Sequence, residues 1–155
     1  MKNLILSVIL LLLAGCDYEI PLSQTASAPA NPALAGTWTG QSTDGKTVSM
    51  KVETSGTEYR VIYAEGRDAL TFKGFEVSTA GLNLIQLELQ NGDAKKYLFS
   101  KYELTPEGLF VYRLNPEVIS SKCQTSEELL NDITAHRQNP ALFSEPLKFK
   151  RFVQK

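Results

Sequence analysis

Residues 47–63 read TVSMKVETSGTEYRVIY, and the spacing of their apolar side chains decides the fold. Val48, Met50 and Val52 fall on every second residue, with Ser49 and Lys51 between them. Side chains of an extended chain alternate between two faces, so this run is a strand with one buried and one wet side. Ser55-Gly56 turns the chain, and Tyr59, Val61 and Tyr63 then repeat the pattern on one face. Two alternating runs around a Gly-containing break form a β-hairpin.

The same signature extends in both directions. Upstream, Asp44-Gly45 is a hairpin pair that tolerates positive φ. Downstream, DALTFKGFEV (68–77) places Leu70 and Phe72 on one side, and Gly74 in mid-run marks a bulge or a bend. LNLIQLELQ (82–90) aligns Ile85, Leu87 and Leu89, and Asn91-Gly92 reads as a tight hairpin turn. KKYLFSKYEL (95–104) and LFVYRLN (109–115) form the next pair, joined through Thr105-Pro106-Glu107-Gly108. Seven short strands at a spacing of roughly 8–12 residues predict a mainly β fold, an antiparallel barrel or sandwich. An open sheet packed on a helix is the competing arrangement. A small antiparallel barrel is preferred because closure removes the two edges that a sheet leaves unpaired.

One α-helix is expected late in the chain. Thr125 or Ser126 can cap it, and Thr125-x-x-Glu128 fits the capping box. Leu129, Leu130 and Ile133 share one side at helical spacing. Glu127, Glu128 and Asp132 precede His136 and Arg137, as the helix dipole prefers, and Asn139-Pro140 ends the run. Residues 145–154, EPLKFKRFVQ, return as a last strand that closes the barrel or lies beside the first.

The chain begins MKNLILSVILLLLAGCDYEI (1–20). Lys2 supplies positive charge, and Leu4 to Ala14 form an apolar run interrupted only by Ser7. That run is too short to span a bilayer, which takes about 20 apolar residues, and matches the core of a secretory signal. With Leu13-Ala14-Gly15-Cys16 behind it, the segment resembles a bacterial lipoprotein precursor. The resemblance implies cleavage before Cys16, acylation of its thiol and amino group, and anchoring in the bacterial cell membrane facing the periplasm. In enterobacterial members an Asp such as Asp17 favours retention in the inner membrane. Residues 1–15 are then the signal peptide, 16–33 a lipidated Cys with a flexible Ser-, Ala- and Pro-rich tether, and 34–155 a single barrel-like domain.

Composition narrows the chemistry. Without the signal, 15 basic residues face 17 acidic ones, and no basic cluster remains that could track a phosphate backbone, which argues against a nucleic-acid partner. The densest positive run, LKFKRFVQK (147–155), interleaves its charges with apolar residues like a strand with one wet face. If Cys16 carries lipid, Cys123 is a single thiol in an oxidising compartment, either buried or paired with another chain. His136 is the only histidine, so no ordinary zinc cluster can be assembled and no metal or other cofactor is expected. A helix between Cys123 and His136 would hold them about 20 Å apart, far beyond the reach of a catalytic pair.

LAGTWTG (34–40) carries Gly36-x-Trp38 and resembles the opening motif of lipocalins and related small barrels, in which the Trp plugs one barrel end. SGTEY (55–59) resembles, through Ser55, Gly56 and Tyr59, an element of membrane-bound lysozyme inhibitors. That group's usual disulfide has no counterpart here. Candidate ligand or partner contacts are Trp38 and the aromatics Tyr97, Phe99, Phe110 and Tyr112, which either line a cavity or fill the core. Tyr102 and Arg113 are expected to point outward. The expected function is non-catalytic binding of a protein or cell-envelope component. The alternatives are carriage of a small apolar ligand in the barrel and hydrolysis by paired carboxylates.

Overall fold

The computed structural model describes residues 18–153. Eight strands follow one another: β1 (Gly36–Gln41), β2 (Thr47–Ser55), β3 (Glu58–Glu65), β4 (Asp68–Thr79), β5 (Leu82–Leu89), β6 (Tyr97–Thr105), β7 (Gly108–Arg113) and β8 (Leu147–Arg151). Each pairs antiparallel with the next, and β8 returns to β1, so the sheet closes into a barrel. A 3₁₀ turn (Pro32–Leu34) precedes β1, and helix α1 (Ser126–His136) lies between β7 and β8. Among the described residues, no helix is long and apolar enough to cross a membrane.

Register follows the alternation. Met50 pairs with both Trp38 and Tyr63, and Tyr63 with Leu70, so these side chains share the inner wall. Trp38, Val48, Val52, Tyr59, Val61 and Phe72 are buried together there. One barrel end holds the hairpins β2–β3, β4–β5 and β6–β7 and the start of β1. The 3₁₀ turn plugs this end with Leu34, which joins the inner core. The other end holds the hairpins β1–β2 and β3–β4, the β5–β6 loop and the exit of β7.

A second core lies outside the barrel. Tyr97 and Phe99 of β6 face outward and pack with Tyr18, Leu114, Ile119, Leu129 and Ile133. Leu129 and Ile133 are both 0 % exposed, and burial of each aliphatic side chain contributes about 1.5–3 kcal/mol. The N-cap of α1 is Thr125, whose hydroxyl accepts from the Glu128 amide at 3.1 Å. Glu128 reaches back one residue beyond the cap and accepts from the Gln124 amide at 2.7 Å.

Three sequence expectations are corrected. The tether of 16–33 is, from residue 18 onward, laid along the barrel. Tyr18 exchanges backbone hydrogen bonds with Tyr97, and its hydroxyl donates to the Ile119 carbonyl at 3.1 Å. The buried Gln86 side chain accepts from the Leu22 and Ser23 amides at 2.7 and 3.1 Å and donates to the Ser23 carbonyl at 2.9 Å. Second, Asn91-Gly92 does not make a two-residue turn. β5 and β6 pair only as far as Glu88 and Tyr97, and Asn91 instead caps β4, accepting from the Thr71 amide and donating to the Ala69 carbonyl. Third, Gly74 marks no bulge, because β4 pairs without interruption on both sides. Glycine is needed there because a Cβ would stand 1.9 Å from the Gln86 carbonyl oxygen.

Candidate functional site

The inner wall divides into two zones. Toward the plugged end, the side chains of β1, β2 and β3 are sealed: Trp38, Val52 and Tyr59 are 2, 5 and 1 % exposed. Along β5 and β6 the inward side chains Ile85, Leu87, Leu89 and Leu98 are only half-buried, as are Tyr63 and Leu70 at the rim of the other end. In a closed barrel an inward side chain is reached only from within or through an end. An eight-stranded barrel is either filled by its own side chains or holds one small ligand. The accessible apolar surface on β5 and β6 is therefore the candidate binding wall.

The plugged end is held by two constructions. Trp38 donates its indole N–H to the Leu34 carbonyl at 2.9 Å. Arg151 stacks over its ring at 4.3 Å and donates to the Ala33 and Ala35 carbonyls, both at 2.7 Å. The guanidinium occupies the space where a Cβ on Gly36 would lie, 2.6 Å from Arg151 Nη1, and φ at Gly36 is +132°. Gly36-x-Trp38 is thus half of a lock whose other half is Arg151. The second construction is polar. Tyr59 donates to Glu76 Oε1 at 2.7 Å and Tyr102 to the same oxygen at 3.3 Å. Asn31 donates its amide to Tyr59 Oη at 2.6 Å and its side chain to Tyr102 Oη at 3.0 Å. Burial, and the Glu76 carboxylate beside it, push the Tyr59 phenol well above its ordinary value.

The opposite end carries a different polar set. Arg113, Ser100 and Tyr63 belong to the inward rows of β7, β6 and β3, and Arg113 is the register partner of Ser100. Among the described residues, no carboxylate pairs with Arg113, and neither the Ser100 nor the Tyr63 hydroxyl has a hydrogen-bond partner. Burial raises the Tyr63 phenol, Glu65 adds to the rise, and the Arg113 charge opposes it.

The expected site residues are distributed differently from the sequence reading. Trp38 is core and plug. Tyr97 and Phe99 face away from the barrel interior and are buried in the outer core, because Leu98, Ser100 and Tyr102 take the inward row of β6. Tyr102 and Arg113 point inward, not outward. Phe110 and Tyr112 lie half-buried on the outer wall, with Lys148 over Phe110 at 5.8 Å and Lys101 over Tyr112 at 4.5 Å. Phe110 and Lys148 border a shallow trough over β1, β7 and β8 with a volume of about 1600 Å³. Cys16 and Asp17 lie outside the described residues. The Cys123 thiol is half-buried, 3.3 Å from the Ser120 carbonyl, and its ordinary value is raised by burial and by Asp132 and Glu128.

Ser100, Gln86 and Arg151 are the functional or architectural residues that sequence reading missed. Period-two alternation carries a usable signal for Ser100, which is the inward residue between Leu98 and Tyr102. No group of three or more His, Cys, Asp or Glu side chains is placed to hold a metal among the described residues. His136 Nδ1 lies 2.9 Å from the Asp132 carbonyl and 3.1 Å from its carboxylate, within one helical turn of α1. No known family model matches the chain, no curated protein is significantly similar to it in sequence, and no solved structure is significantly similar to it in fold.

Proposed function

We propose that this protein binds a small apolar ligand inside its barrel, without catalysis, while held to the periplasmic face of a bacterial membrane by lipid on Cys16. The observation that carries the reading is the half-buried apolar row Ile85, Leu87, Leu89 and Leu98, inward-facing yet accessible, opposite a sealed and plugged end. Pockets for such ligands are concave, mostly apolar and already formed before binding. The leader Leu13-Ala14-Gly15-Cys16 supports the anchor, and Asp17 supports the inner membrane. The absence of a second histidine in the chain and the fully engaged Glu76 oxygen favour binding over hydrolysis.

A direct test is titration of the chain from Asp17 onward with a fluorescent apolar probe. Saturable binding is expected, and Leu87→Trp, which fills the inner space from the accessible wall, weakens it by at least about tenfold, the equivalent of about 1.4 kcal/mol. Probe binding that never saturates, or that Leu87→Trp leaves unchanged, refutes the interior site.

A further inference from the structure

The half-open barrel end presents more than an apolar mouth. Arg113 closes β7 on the inward row, opposite Ser100 of β6, and Tyr63 of β3 comes from the facing wall. Tyr63 is the register partner of Leu70, and Ser100, which follows Leu98 on the inward row of β6, is the register partner of Ile85. Among the described residues, Arg113 has no carboxylate within ion-pair distance. Several other cationic side chains are engaged. Lys46 bridges Asp44 and Glu65, Arg60 meets Glu53, Lys73 meets Glu58, and Arg151 is spent on two carbonyls and an indole. A guanidinium on an inward row with no carboxylate beside it is a planar fork of donors suited to an anion. Two further hydroxyls, on Ser100 and Tyr63, can donate to the same group. Among the described residues no side-chain polar atom is both buried and unpartnered, so these groups meet water at the mouth, where a ligand's acceptor can replace it.

We infer that Arg113, with Ser100 and Tyr63, receives the anionic headgroup of a single-chain amphiphile whose hydrocarbon lies against Ile85, Leu87 and Leu98. This rests on the apolar-ligand reading and narrows it to carboxylate-headed chains over neutral or cationic ones. The acid head stays at the rim, where water and Arg113 share its charge. The tail runs inward toward the sealed side, against apolar side chains of the inner core. The interaction of Arg113 with Tyr63, which holds the phenol below the value that burial alone would give, agrees with their facing each other across the mouth.

The test compares three ligands of equal chain length on the chain from Asp17 onward: a fatty acid, the corresponding alcohol and the corresponding quaternary ammonium. The acid is expected to bind about ten- to a hundredfold tighter than the alcohol, the range of a charge-assisted hydrogen-bonded pair, and the ammonium weakest. Arg113→Met removes the preference for the acid and leaves alcohol binding intact, while Arg113→Lys keeps part of the preference. If Arg113→Met does not fold, the double change Ser100→Ala with Tyr63→Phe must narrow the gap between acid and alcohol. Equal binding of acid and alcohol by the unaltered chain, or a preference that survives both sets of changes, overturns the headgroup assignment while the barrel site stands. Failure of all three ligands to bind overturns the barrel site itself and the headgroup with it.

Discussion

The two cores of this protein share strand β6 and differ in how completely they are closed. The outer one, built from Tyr97, Phe99, Ile119, Leu129 and Ile133, is sealed, with its aliphatic members at 0 % exposure. The inner one is sealed toward the plugged end, at Trp38, Val52 and Tyr59, and left accessible along β5 and β6. The helix and the N-terminal segment thus add a second buried core where they press against the barrel from outside. On β5 and β6, whose outer face carries Leu84, Tyr97 and Phe99, the inner wall is packed less completely. A small barrel that had to be stable on its interior alone would fill that interior with its own side chains.

The same substitution in each core separates them most strongly. Leu129→Ala, in the outer core, should cost about 3–4 kcal/mol in denaturant unfolding, near the middle of the range for a fully buried leucine. Leu87→Ala, on the accessible inner wall, should cost about 1–2 kcal/mol, because part of its surface is already exposed. Equal losses at the two positions would mean that the inner wall is as tightly packed as the outer core.

The plug offers a sharper, smaller contrast. The raised Tyr59 phenol means that the folded state resists ionisation that the unfolded chain allows near pH 10. Its contribution to stability is complete below about pH 10 and is lost as pH rises further. Tyr59→Phe should lose about 1 kcal/mol at neutral pH, through its hydrogen bonds to Asn31 and Glu76, and should flatten the alkaline decline of stability. An alkaline slope that is the same in Tyr59→Phe would assign the decline to other tyrosines. Smallest of all, Thr125→Ala should cost about 1 kcal/mol by removing the α1 cap, without any change in binding of an apolar probe. Altered binding in that variant would tie the helix to the inner wall and blur the division between the cores.

Much of the barrel was legible in the sequence wherever only one face of a strand is apolar. Val48, Met50 and Val52, Tyr59, Val61 and Tyr63, and Ile85, Leu87 and Leu89 all lie on the face their alternation predicts. Alternation fails on β6 because Tyr97, Leu98 and Phe99 are apolar in succession, and both faces of that strand are covered. Arg113 was expected outside because charge suggests solvent, whereas the parity of Leu109 and Val111 already places it inside. Residues 18–31 look like a tether by their Ser, Ala and Pro content. Their anchors, Tyr18, Ile20 and Leu22, do alternate, but what they bind is remote: the partner of the Tyr18 hydroxyl is 101 residues away. The Arg151 half of the Trp38 lock is hidden for the same reason. It is one cation in a run of several, and nothing local marks it as the one that crosses the barrel end.

Tyr18 fixes more than its own side chain. With lipid on Cys16, a single residue separates the acylated position from a backbone already hydrogen-bonded to the first residue of β6, a reach of about 7 Å. The domain could not swing out into the periplasm on a leash. Under that proposed anchor the domain would stay close to the bilayer, held at the end of the barrel where β6 begins.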